Sequence, residues 1–404
     1  MQENCEYQMK DKYNSIPFII LLGSLTIFDP LSIDMYLSAF PEIAKTFAVK
    51  ISSVELSLSI FFIGLALGQL IYGPLADVYG RKKPLIIGML LYSLASLGCA
   101  FSTSIEMFIF FRCLQALGGC AGMVITRAIV SDVYDKKQAA NIFSMLMLVM
   151  GVAPILAPLI GGYLTKFFGW RTIFEVLSLF SLISILCTSY FLPETHKKTE
   201  SIDAVENKFL AKIRDYIDLL RDPSFSSYAI SGGLMRAAMF AYIAGSPFVF
   251  ITLFKVPAEN YGWLFGSNAV GIIAFSQINR LLLRKFSTED IFKNVIYISG
   301  IFAIILFINS IFFSNIIAII IPLFLLIASL GLIFPNSAAL ALANQGHRAG
   351  TASALLGTLQ WSIAFFSSFL VSMFHTHSAI PMTATILGFT LLAIICLKRM
   401  YKFQ

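Results

Sequence analysis

The chain has 404 residues, of which 58% are hydrophobic, 13% charged and 38 are Phe. A soluble domain cannot cover that much apolar surface, so lipid is the solvent for most of the molecule. The net charge of +7 raises nucleic acid as a partner, which the placement of the basic residues excludes below. The six cysteines (Cys5, Cys99, Cys113, Cys120, Cys187, Cys396) are scattered without a CxxC pair, and they read as small core residues rather than disulfides or metal ligands.

In chain order, apolar runs near 16–38, 54–74, 84–101, 107–130, 141–164 and 171–192 are followed by a polar segment, 193–223. Six more runs follow near 225–253, 262–283, 291–313, 316–342, 351–374 and 380–397. Each is long enough to cross about 30 Å of hydrocarbon as a helix. The first run is longer than a leader's apolar region, carries two acids and lacks a small-residue cleavage site, so it is expected to stay as span one. The expected fold is all-α, integral to the membrane, with twelve transmembrane helices in two six-helix bundles. The expected divisions are a tail 1–15, a bundle 16–192, a linker 193–223, a bundle 224–397 and a tail 398–404. A duplicated arrangement of this kind places a substrate site between the halves.

Counted over the N-terminus and every second break, with residues near a span end given to the adjacent break, 22 Lys and Arg fall on one side and 5 on the other, leaving Arg112 and Arg236 well inside spans. By the positive-inside rule both termini and the linker are expected in the cytoplasm. The basic balance is thus a topology signal, and nucleic acid is not expected as a partner. Within the linker, Phe209, Ile213, Ile217 and Leu220 share one side of a helix-compatible stretch, 207–221. It reads either as an amphipathic surface helix or as a solvated tether.

The chemistry is concentrated in span one, where IFDPLSIDMYLSAFP (27–41) carries Asp29 and Asp34. A carboxylate in hydrocarbon costs several kcal/mol unless it faces a partner or water, so acids in a span mark function. No GxxxxGK[ST] loop occurs, so energy is expected from an ion gradient, or transport is passive. At 1.5 Å per residue, Asp34 and Arg112 lie at one level, ~6 and ~7 Å below the outer surface, with Gln115 one turn deeper on the face of Arg112. An acid facing a base in a cavity can exchange its partner for a proton or substrate; the alternative is a structural salt bridge. Asp29 and Arg236 lie near the midplane of spans one and seven and are expected to pair across the halves. Asp29 and Asp34 stand about 140° apart on an ideal helix, so both face the cavity only if Pro30 kinks it.

Further along, GPLADVYGRKKP (73–84) combines turn glycines, Asp77 at a helix end and Arg81, Lys82 and Lys83 at the inner face. GVAPILAPLIGG in span five carries Gly151, Pro154, Pro158, Gly161 and Gly162. Small residues allow close helix approach, and prolines weaken the helix there. Polar side chains expected to line a cavity are Tyr36, Gln115, Tyr242, Asn268, Asn336 and Gln360, with aromatic residues between them for binding by shape and stacking. His375 and His377 have no third ligand nearby and read as a surface loop.

These strings carry a resemblance. The 73–83 loop resembles the signature loop of the major facilitator superfamily. Arg112 with Gln115 and Gly118 is similar to the span-four motif of its proton-coupled members, and 151–162 resembles the antiporter motif of its drug exporters. IDMYL (33–37), RCLQALGG (112–119), AYIAGSPFV (241–249), YGWLFGSNA (261–269), FPNSAALAL (334–342) and AGTASALLGTLQ (349–360) together resemble the Bcr/CflA drug:proton antiporters of bicyclomycin and chloramphenicol resistance, over about 17–397. The resemblance implies that Asp34 and Arg112 belong to the proton and substrate site. It also implies that Gly73, Asp77, Gly80 and Arg81 form a cytoplasmic gate, with Asp132 expected as the partner of Arg81. Ser38 stands where the family usually has proline, Asp29 and Arg236 lie outside its pattern, and the second-half counterpart of the gate, 280–286, lacks the glycine and aspartate.

The sequence reading is therefore a non-enzymatic, multi-pass transporter of the bacterial inner membrane. It is expected as a monomer that exports amphipathic small molecules in exchange for protons, with no cofactor beyond the proton gradient. The alternatives are an exporter of one endogenous metabolite or siderophore and, more distantly, a non-transporting membrane receptor.

Overall fold

The computed structural model describes residues 16–195, 216–312, 315–343, 345, 349–374 and 376–400. Backbone in lipid must satisfy its own hydrogen bonds, so the apolar runs become helices. Those of the first half are α1 (Ile16–Thr26), α2 (Phe28–Asp34), α3 (Phe40–Thr46), α4 (Ile51–Tyr79), α5 (Lys82–Ala100), α6 (Ile105–Val133), α7 (Lys136–Phe168) and α8 (Arg171–Phe191). The second half contains α9 (Pro223–Pro247), α10 (Ala258–Leu282), α11 (Thr288–Phe312), α12 (Ile316–Leu342), α13 (Ala349–Met373) and α14 (Ile380–Met400). A π-helical turn, Phe248–Leu253, extends α9. No strand occurs among the described residues.

By length and composition ten of these helices can cross a membrane, and the bent first segment makes an eleventh. The expected twelfth span is α10, which is 25 residues long and falls outside that apolar set. Asn260, Asn268, Gln277, Asn279 and Arg280 lower its hydropathy. Asn268 and Asn279 are buried where the helix packs between α7 and α12, and Asn260, Gln277 and Arg280 are exposed toward its two ends. The stretch 207–221 lies largely outside the described residues, apart from a helical turn at 216–221.

Span one is not one rod. Pro30 has no N–H to donate to the carbonyl of Thr26, and its ring crowds that carbonyl. The break accordingly falls at Ile27, one turn before the proline, with a 42° bend between Pro17–Thr26 and Phe28–Thr46. A second interruption follows Asp34, where a 3₁₀ turn, Leu37–Ala39, holds Ser38 with its hydroxyl donating to the Met35 carbonyl at 3.2 Å.

In the first half α6 packs against α4 and α5, and α5 also against α8; in the second, α9 is central and packs against α12, α13 and α14. Two seams cross between halves, α4 with α13 and α7 with α10. The first is polar at one end, where Ser372 donates to the Ser52 carbonyl at 3.0 Å and the Ser59 and Ser368 hydroxyls meet at 2.9 Å. Deeper, Phe62 stacks on Trp361 with centroids 5.8 Å apart. The second seam is made by small residues. A Cβ on Gly162 would stand 2.8 Å from the Ala258 carbonyl oxygen, and one on Gly262 2.8 Å from Leu159 N. Lys166 and Glu259 close the end of this seam at 2.7 Å.

Candidate functional site

Span one divides its polar groups between two environments. Ser32 faces the interior of the first half, where its hydroxyl meets Tyr92 OH at 2.5 Å and its carbonyl accepts from Arg112 Nη2 at 3.0 Å. Arg112 is fully buried, also donates to Gln115, and lies 4.1 Å from the ring centroids of both Tyr36 and Phe61. Gln115 passes the chain on, its Nε2 donating to Ser96 Oγ at 2.8 Å. The guanidinium charge is thus met by aromatic faces, a carbonyl and an amide oxygen rather than by a carboxylate.

Asp34 lies two residues beyond Ser32, about 200° around the helix, and so points the other way. It lines a central cavity of about 350 Å³ with Met147, Met150, Gly151 and Pro154 of α7, Met239, Tyr242 and Ile243 of α9, and Phe265 and Asn268 of α10. Ala269, Ile272 and Ile273 of α10 and Ile327 and Phe334 of α12 complete the wall. Asn268 Nδ2 donates to Tyr242 OH at 3.0 Å, while Asn268 Oδ1 is buried without a hydrogen-bond partner. A mostly apolar cavity with a carboxylate, a phenol and an unsatisfied amide oxygen suits an amphipathic molecule carrying a cationic or donor group.

This geometry corrects several expectations. Asp34 does not face Arg112: the two lie on opposite sides of α2, and no ion pair joins them. Asp29 does not meet Arg236. It is 2% exposed, both its oxygens lack hydrogen-bond partners, and it lies against α6, where a Cβ on Gly119 would stand 3.1 Å from its Oδ1. Its place about 60° from Ser32 on the helix keeps it on the inner face of the first half even with the break at Ile27. Arg236 instead lies over Phe334, its guanidinium carbon 4.0 Å from the ring centroid.

Of the residues expected to line a cavity, Tyr242 and Asn268 do so. Tyr36 and Gln115 belong to the Arg112 network, and Asn336 pairs with Asn279 between α12 and α10 at 2.8 Å. Gln360 is half-buried and outside the cavity wall. The sequence reading missed Met147, Met150, Met239, Phe265 and Phe334. The signal was present in MLMLVM, 145–150, where Met147 and Met150 stand three apart on one helix face; adaptable Met side chains suit a surface that accepts varied shapes.

At one end of the first half, Arg81 links two helices. Its Nη1 reaches Asp77 at 2.6 Å and its Nε reaches Asp132 at the end of α6 at 2.7 Å. Gly80 ends α4 at φ +84°, a conformation that favours glycine. The turn it makes brings the Arg81 N–H to Glu194 at 2.8 Å and the Lys82 N–H to the same carboxylate at 3.2 Å. A Cβ on Gly73, by contrast, would meet no atom within 4 Å. In α7, Gly161 packs directly on the Met35 carbonyl, just past Asp34, and Gly162 packs on α10. Pro154 lines the cavity, and α7 runs unbroken through both prolines. His375 lies outside the described residues, and His377 is exposed.

A cavity at the middle of a helical bundle, walled by both halves and carrying an intramembrane acid, defines a membrane transporter rather than an enzyme. The profile of the Major Facilitator Superfamily matches residues 22–369. An uncharacterized MFS-type transporter, YdgK, of Bacillus subtilis is 37% identical, the match covering 90% of each chain. A bicyclomycin resistance protein homolog of Haemophilus influenzae is 30% identical over 93% of this chain and 94% of its own. Among solved structures, a peptide transporter POT in complex with sulfate superposes with a TM-score of 0.75 at 13% identity, covering 95% of this chain and 93% of that one. The chain belongs to the major facilitator superfamily and, within it, to the Bcr/CflA type. It is a multi-pass membrane protein whose family carries small-molecule substrates.

Proposed function

We propose that this transporter exports amphipathic small molecules, drugs among them, across the bacterial inner membrane in exchange for protons. The observation that carries the reading is the central cavity, in which Asp34 stands among Met, Phe and Ile side chains contributed by both halves. The name of the Haemophilus influenzae relative, a bicyclomycin resistance protein homolog, supports antibiotics as one substrate class. The working unit is a monomer of two bundles, 16–192 and 224–397, with 193–223 and both tails, 1–15 and 398–404, in the cytoplasm. The Lys166–Glu259 seam then lies at the periplasmic face and the Arg81–Asp132 latch at the cytoplasmic face. The proton gradient is the energy source, with no other cofactor.

In the proposed cycle Asp34 takes a proton while open to the periplasm, and rocking of the halves presents it to the cytoplasm. Loss of the proton there leaves a carboxylate that binds substrate, and the return carries substrate out. Arg112 is a positioning residue: it holds the Ser32 carbonyl two residues from Asp34 and so sets where the acid stands. The Met35–Gly161 contact couples the break in span one to the α7–α10 seam.

Proton release from the purified protein on addition of a panel of amphipathic antibiotics tests this reading. Release is expected from the wild type and not from Asp34→Asn. Release that survives the substitution removes Asp34 from the role, and silence across a panel that nevertheless binds overturns the exchange.

A further inference from the structure

Arg236 stands in α9 three residues from Met239 and seven from Ile243, both in the cavity wall. Positions with that spacing share a helix face, so Arg236 continues the lining face by one turn. Its guanidinium lies on Phe334, itself a wall residue, with its carbon 4.0 Å from the ring centroid. Arg236 Nε is buried without a hydrogen-bond partner, and among the described residues no carboxylate pairs with the guanidinium. The side chain nevertheless keeps part of its surface accessible. Among the candidate spans α9 is the most enclosed, with 78% of its apolar window buried. The face that Arg236 shares with Met239 and Ile243 directs that remaining surface to the cavity side of the helix.

The contrast with Arg112 is informative, because that guanidinium has a carbonyl and an amide oxygen to donate to. A guanidinium without oxygen acceptors in a membrane interior is retained against its desolvation cost, and aromatic contact compensates only part of that cost. Its planar fork is built to hold a carboxylate through two parallel hydrogen bonds. At the other pole the acid in the wall is Asp34, which attracts cations.

We propose that Arg236, covered by Phe334, is an anion-recognising subsite of the central cavity, so that the preferred ligands are amphipathic zwitterions with the cationic end at Asp34 and a carboxylate at Arg236. The proposal rests on the cavity reading above and adds the ligand's charge pattern to it. Phe334 acts as the cover: its ring shields the guanidinium when no anion is present and turns aside when one enters.

Two xanthene dyes isolate the carboxylate. Rhodamine 110 carries a free carboxylate, and rhodamine 123 is its methyl ester, with the same ring system and a net positive charge. Binding of each to the purified full-length protein in nanodiscs, read by fluorescence polarisation, gives the preference directly. In the wild type rhodamine 110 is expected to bind about tenfold tighter or more, the worth of a charge-assisted fork. Arg236→Met is expected to equalise the two dyes, and Arg236→Lys to retain an intermediate preference. The wild-type comparison needs no variant to fold: absence of a preference for rhodamine 110, whether both dyes bind or neither does, overturns the proposal. So does a preference that Arg236→Met leaves unaltered. Equal binding of both dyes removes the anion subsite alone and leaves the cavity standing, whereas loss of rhodamine 123 in Asp34→Asn tests the cavity reading independently.

Discussion

The interior of the first half and the cavity side of α9 each hold an arginine, Arg112 fully buried and Arg236 half-buried, and the two regions treat them differently. Around Arg112 the protein supplies its own answers: two aromatic faces, the Ser32 carbonyl and Gln115. On the cavity side the charged groups lack such answers: Asp34 lines open volume, and the Arg236 guanidinium lies on the Phe334 ring without an ion-pair partner among the described residues. A buried charge satisfied from within is part of the scaffold; one left open toward a cavity is a place for a ligand or a proton. Burial alone does not separate the two. Asp29 is 2% exposed and Asp34 4%, yet one lies against α6 and the other lines the cavity.

Substitutions can break this contrast, and the largest effect is expected at Asp34. Asp34→Asn should abolish proton-coupled efflux in inside-out vesicles, with the folded protein recovered at wild-type yield; retained efflux would erase the functional half of the comparison. Next comes Arg112→Met, which strands Gln115 and the Ser32 carbonyl in the interior. Leaving these two buried acceptors unsatisfied costs about 1–3 kcal/mol each, seen as a lowered unfolding temperature in detergent. Arg236→Met should leave that temperature unchanged or raise it, since it removes a charge that no described carboxylate answers. If the two arginines respond alike, the distinction between satisfied and open charges fails.

A smaller loss is expected at the latch. Asp132→Ala removes the acceptor of two Arg81 bonds, at 2.7 and 3.3 Å, and should cost about 1.5–3 kcal/mol, the range for bonds to charged groups. Asp29→Asn should change both stability and efflux least among the buried sites, because the amide replaces a carboxyl that makes no hydrogen bond in this conformation. Measurable loss of coupling in that variant would move Asp29 into the working site. The smallest effect belongs to Lys166→Gln. This ion pair is solvent-exposed, with side-chain accessibilities of 48% and 27%, so its removal should shift the balance between open and closed seams by about twofold at most. Spin-label distances across the α7–α10 seam would report that shift, and raised salt should mimic it.

Much of the site was legible because particular residue types are costly in lipid. Asp29, Asp34, Arg112 and Arg236 announce themselves in any apolar run, and Asp77, Arg81 and Asp132 stand where helices end at the basic face. What could not be read was direction. The pairing of Asp34 with Arg112 was inferred from shared depth, but depth does not say which side of a helix a residue occupies. The break at Ile27 and the 3₁₀ turn after Asp34 reset the rotation of span one. The polar hydroxyl of Tyr36 suits a cavity, yet its ring forms the floor of Arg112. The methionines of α7 passed unremarked because an apolar residue facing lipid and one facing a cavity look alike in a hydropathy pattern.

Residue order alone shows that the chain is helical, that it spans a membrane many times and that it carries acids and bases where lipid forbids idle ones. Composition and the hydrogen-bond demand of the backbone leave no other outcome. That Asp34 lines the cavity, while Asp29 and Arg112 belong to the packing of one half, follows from how the helices are folded together. The reason is geometric: helix rotation and the choice of neighbours depend on contacts such as Met35 with Gly161 and α7 with α10, which join residues far apart in the chain and leave no local pattern to read.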